Sequence, residues 1–151
     1  MRFVKKVNTQ DLLIKHLDMY MDIYKHHFNL FLKGVTIYLV SIGVIAGYIF
    51  KGDINIHTQA ILSSLFIIES IGAFLCCVFS FRWINTVDKI VRRIILQLNV
   101  SVSSFPFGGV KGVILTTAMV AIVSSVAGVI IAIPIFSKIF ANIEKGITLQ
   151  C

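Results

Sequence analysis

Charge is scarce in this chain: 14% of its 151 residues are Asp, Glu, Lys or Arg, against about 25% in an ordinary soluble domain. Acids are scarcer still. There are seven, scattered along the sequence as Asp11, Asp18, Asp22, Asp53, Glu69, Asp88 and Glu144. No paired carboxylates, no His-Glu-x-x-His and no Ser/His/Asp arrangement can be assembled from them, so a soluble-type active site has no material and the chain is expected not to be an enzyme. Cysteine is equally uninformative. Cys76 and Cys77 are adjacent in an apolar run, Cys151 ends the sequence, and without a Cys-x-x-Cys spacing neither a disulfide framework nor a zinc site is expected. Asp22 and His26 lie one helical turn apart with His16 further back; two ligands do not close a site, so these are read as an exposed polar face. Neither a metal nor a cofactor is expected. Met1–Asp11 is basic and polar with no apolar stretch behind it, so the first apolar run is expected to act as its own insertion signal.

What fills the chain instead is apolar: 57% hydrophobic residues with glycine left out. One core of this size could not hide that surface and still be covered by polar groups. The solvent implied is lipid, and the bilayer is the first expected partner. Three stretches are long and uncharged enough to cross it. Gly34–Phe50 has 17 residues and no charge, Ala60–Phe81 has 22 with Glu69 alone, and Gly112–Phe136 has 25 with no charge and Pro134 near its end. Lys51–Gln59 between the first two is short, which makes them an antiparallel hairpin.

The net charge of +7 then has a membrane explanation. Residues 1–33 hold six basic side chains and residues 82–111 hold five, whereas the short turn has only Lys51 and the tail Lys138 and Lys145. With three crossings both rich segments fall on one side. That side is expected to be cytoplasmic, with the N-terminus inside a bacterial inner (plasma) membrane. Arg92–Arg93 reads as a solvated face, and Gly108-Gly109-Val110-Lys111-Gly112 lacks the spacing of a phosphate loop; no nucleic acid partner is expected.

Both basic segments carry a helical stripe. Asn8, followed by Asp11, suits a helix N-cap, and Leu13, Leu17, Tyr20, Tyr24, His27 and Phe31 then recur at three- and four-residue steps. Ile84, Val87, Val91, Ile94 and Leu98 do the same. Two placements are open for the second stripe: zipped against the first as a cytoplasmic stalk, or flat on anionic lipid. Ser101–Gly112 between it and the last span reads as a loop in which Phe105 and Phe107 dip into the interface or cap a groove.

The expected architecture is an all-α integral membrane protein. It has a cytoplasmic amphipathic helix (1–33) continuous with the first span (34–50), an outer turn (51–59), the second span (60–81), a basic cytoplasmic helix and loop (82–111), the third span (112–136) and a tail (137–151). Its one chemically pointed residue is Glu69, an ionisable group at mid-span with an insertion cost of about 2.5–3.5 kcal/mol. Counting from span centres puts Ser41, Ser70, Ser124 and Ser125 at the same depth. Either Glu69 is protonated or hydrogen-bonded to these hydroxyls and holds helices together, or copies of it from several subunits face a wet axis as an ion or proton site. Small residues mark helix-packing faces: Gly43 and Gly47 on the first span, Gly72, Ala73 and Cys76 beside Glu69, and Ala121, Ser125 and Gly128 on the third. Three small faces exceed what one hairpin uses, so a homo-oligomer or a membrane or cytoplasmic protein partner is expected. The functional expectation is a small membrane protein that forms or gates a channel or pore, or perturbs the membrane as an effector. The alternative is a non-conducting anchor that recruits a cytoplasmic partner or assists assembly of a larger membrane complex.

Overall fold

A computed structural model describes residues 9–51, 54–98 and 107–148. They form three long helices, α1 (Thr9–Phe50), α2 (Ile56–Leu98) and α3 (Phe107–Thr148). Each is long and apolar enough to cross a membrane, as a multi-pass membrane protein requires. At 1.5 Å per residue a helix of 42 residues extends about 63 Å, roughly twice the ~30 Å of a hydrocarbon core. Every helix therefore has an apolar half, and α1 and α2 each have a second half that carries the charges.

The ends follow from local chemistry. The turn after α1 tightens through Lys51 N–H donating to the Tyr48 carbonyl, 3.2 Å. Asn55 then caps α2: its side-chain oxygen accepts from His57 N–H at 3.2 Å and its carbonyl from Gln59 N–H at 3.0 Å, satisfying donors that a helix start leaves orphaned. The turn between α1 and α2 is accordingly shorter than the expected 51–59. The expected cap Asn8, and Phe105 with the rest of 101–106, lie outside the described residues. Two boundaries shift further. α3 starts at Phe107, inside the stretch read as a loop, because Phe107, Val110 and Ile114 are buried and that burial outweighs the poor helix propensity of Gly108 and Gly109. Helix also continues past Phe136 to Thr148, with Pro134 inside it, where the sequence reading had a tail.

One pattern runs through all three helices. On α2 the residues Ser63, Ser70, Cys77, Ile84 and Val91, seven apart, are each at most 2% exposed. On α3 Phe107, Ile114, Ala121 and Gly128 repeat the spacing and are buried, and on α1 Tyr24, Tyr38 and Ile45 fall on the same period. A seven-residue repeat of buried positions is the seam of coiled-coil packing. Its composition changes along the length. The charged half is filled by large side chains, with Tyr24, Ile84, Val87, Val91, Ile95, Phe107 and Ile114 in one buried cluster; in water, apolar burial drives such contacts. In the apolar half α2 and α3 present Ser, Cys, Ala and Gly at these positions, whereas α1 presents Tyr38 and Ile45, the latter clustered with Ile49 and Phe66. Ile37, Phe50, Ile68, Phe79, Val123 and Ile133 point outward, each more than 60% exposed. Lipid gives no hydrophobic drive between helices, so small residues that permit close approach take its place.

The second amphipathic stripe therefore packs against its neighbours. Val87 and Val91 join the cluster that holds Tyr24, with Leu17 and Tyr20 at its edge; Ile94 is buried as well and Leu13 half-buried. Tyr24 meets Phe107 edge-on at 4.8 Å between ring centroids, and His27 lies on Trp83 at 4.0 Å.

Candidate functional site

Glu69 lies midway along the apolar stretch of α2, on the side turned to α1. Ser41 Oγ donates to its Oε1 at 2.9 Å, and one turn further Tyr38 OH donates to Ser70 Oγ at 3.4 Å. Ser70 Oγ in turn donates to the Phe66 carbonyl at 2.8 Å. Two side-chain bonds thus tie α1 to α2 at the depth where counting from the span centres places Ser41, Glu69 and Ser70 together.

The second carboxylate oxygen differs. Glu69 Oε2 is buried and has no hydrogen-bond partner among the described residues, an arrangement that costs about 1–3 kcal/mol or more for a charged group. Other atoms of Glu69 lie on the wall of a cavity of about 450 Å³ between α1 and α2, which runs from His27 and Ser80 to Ser41 and Glu69, with Thr117 of α3 on its lining. Phe31, Tyr38 and Ala73 line it as well, and Glu69 is its one acidic group.

Ser124 and Ser125 share the expected depth and not the site. Both are half-buried on α3, neither lines the cavity, and Ser125 Oγ donates back to the Ala121 carbonyl at 2.9 Å. Depth fixes height along the bundle. Direction is fixed by which helix α2 meets on each flank, and the Glu69 flank belongs to α1.

The small-residue faces divide in the same way. A Cβ on Gly128 would stand 2.8 Å from Phe66 Cδ1 and 2.9 Å from Ile67 Cγ1, so α3 approaches α2 through Gly128, and Ala121 is fully buried. A Cβ on Gly43, Gly47 or Gly72 would meet nothing within 4 Å among the described residues. Cys76 is exposed and Ala73 half-buried. Among the described residues, Gly43 and Gly47 of α1 and Gly72 beside Glu69 make no close helix contact.

A second polar cluster escaped the sequence reading. Asp88, in the charged half of α2, accepts from Arg92 Nε at 2.7 Å and from Lys111 Nζ of α3 at 2.8 Å. Its side chain is 10% exposed. Burial pushes its pKa up, but the hydrogen bonds and charges of Lys111 and Arg92 outweigh that, so it lies below the ordinary aspartate value. The signal was present: Asp88 is the one acid in 82–111 and sits four residues before Arg92. Among the described residues no group of three His, Cys, Asp or Glu side chains could hold a metal.

No protein-family model matches this chain, and neither a curated protein nor a solved structure matches it.

Proposed function

We propose that the chain is a non-catalytic subunit of a homo-oligomeric membrane assembly that forms or gates a path across the bilayer, with Glu69 as the polar group on that path. The observation that carries the reading is Glu69 itself, which lines a cavity at the middle of an apolar stretch and keeps one oxygen, Oε2, buried without a partner among the described residues. An intramembrane carboxylate without a cationic partner is a functional group by default. Oligomerisation is supported by the open glycine faces at Gly43, Gly47 and Gly72, which allow the close approach that associates helices in lipid. The concentration of Lys and Arg in 1–33 and 82–111 supports a cytoplasmic N-terminus in a bacterial plasma membrane. The charged halves of α1 and α2 then form a stalk in the cytoplasm. The test is ion flux in proteoliposomes. Glu69→Gln is expected to alter flux at unchanged oligomer mass, and unchanged flux removes Glu69 from the path.

A second reading has its own observation. Leu12, Met19, Ile23 and Leu30 share one flank of α1 in its charged half, each 46–53% exposed. That stripe supports a non-conducting anchor whose stalk recruits a cytoplasmic protein. Stoichiometric capture of one protein, lost in Met19→Glu/Ile23→Glu while flux is absent throughout, selects this reading.

A further inference from the structure

We infer that the cavity between α1 and α2 is a binding site for a lipophilic organic cation that enters from the bilayer. The volume of about 450 Å³ falls within the range of about 300–1,000 Å³ that holds drug-sized ligands, and mostly apolar walls with few polar groups are the usual form of such sites. What narrows the class is charge. Glu69 is the one acidic side chain on the wall, and no Lys or Arg lines it. One oxygen of Glu69 is engaged by Ser41 and the other is buried without a partner, so among the described residues no protein cation competes with a ligand for the carboxyl.

The remaining wall suits an organic cation better than a metal ion. A hard cation such as Ca²⁺ takes 6–8 oxygen ligands, whereas beside Glu69 the lining offers only the hydroxyls of Ser41 and Tyr38, with Ser80 about three turns away along α2 and the Thr117 hydroxyl given to the Val113 carbonyl. Phe31 and Tyr38 line the cavity, and aromatic rings attract cations through their quadrupole, most strongly where water is excluded. A neutral acyl chain would fill the apolar wall and leave the Glu69 carboxyl without a counter-charge. The inference rests on the same membrane-depth reading of Glu69 as the proposed path, but it is measured at equilibrium with no gradient and no flux. A path that fails to conduct leaves the binding result intact, and the converse also holds.

The experiment is equilibrium dialysis of tetraphenylphosphonium against the full chain in lipid nanodiscs, with empty nanodiscs subtracted. Saturable binding of one equivalent per chain is expected, weakened at least tenfold in Glu69→Gln. Gly34→Leu tests the volume with the carboxyl left in place. Gly34 lines the cavity and a Cβ there meets nothing within 4 Å, so the larger side chain enters open space and should remove saturable binding while helical content is retained. Tetraphenylborate, of similar shape and opposite charge, should not compete. Non-saturable uptake, undiminished affinity in a folded Glu69→Gln, or equal competition by tetraphenylborate would each overturn the assignment.

Discussion

Gly128→Ala adds one methyl group at the closest approach of α3 to α2, and the structure says what that group meets. Its position is 2.8 Å from Phe66 Cδ1 and 2.9 Å from Ile67 Cγ1, where van der Waals contact between carbons needs about 3.5–4.0 Å. Phe66 is itself buried, against Ile45 and Ile49 of α1, so its ring cannot swing away without disturbing the α1 contact. Overpacking of this kind costs about 1–3 kcal/mol. A gain of about 1 kcal/mol in helix propensity opposes it in water. That gain largely cancels when the unfolded reference is a dispersed but still helical chain in detergent, so the clash decides the sign. The assay is equilibrium unfolding in mixed dodecylphosphocholine/SDS micelles. The single Trp, Trp83, packed on His27, reports separation of α1 from α2. Gly128→Ala should be destabilised by about 1–3 kcal/mol, and Gly72→Ala, with open space around it, should stay within about 0.5 kcal/mol. A Gly128→Ala variant as stable as the parent would refute the close α2–α3 approach on which the seam depends.

Further predictions concern the charged half. Asp88→Ala strands the Lys111 ammonium, whose side chain is 28% exposed, and should cost about 3 kcal/mol, whereas Arg92→Ala, 68% exposed, should cost under about 1 kcal/mol. Because the pKa of Asp88 is lowered on folding, its stabilisation is fully present above the ordinary aspartate value of 3.8 and is lost as pH falls through the folded value. Unfolding titrations from pH 6 downward should show an acid limb below about pH 4 that Asp88→Asn reduces. Tyr24 has a buried hydroxyl without a partner among the described residues, so Tyr24→Phe keeps the ring contact to Phe107 and should stabilise by about 1 kcal/mol, read in the same micelle titration.

Much of the architecture was legible because it rests on long-range counting. Uncharged runs of bilayer length announced three helices, and the three–four stripes through Tyr24 and Val91 marked apolar faces while leaving open whether the second met the first or lay on lipid. Depth counting also paired Ser41 with Glu69. Azimuth was not legible: Ser125 shares that depth yet turns to its own helix backbone, since nothing in one sequence says which flank of α2 each neighbour takes. For the same reason Gly43 and Gly128 look alike as letters, while one faces open space and the other a phenyl ring. The continuous seam was hidden because Ser63, Ser70 and Cys77 do not register as core by hydrophobicity. They are core because lipid rewards close approach over apolar bulk.

The central claim is that Glu69 turns inward to a path built from several copies. An electron cryomicroscopy map of the full chain in lipid nanodiscs tests it most directly. A ring of copies with an axial opening and the Glu69 cavities turned toward that axis is the predicted result. A lone bundle, a closed two-fold dimer, or a ring carrying Glu69 on its lipid-facing perimeter would contradict the account.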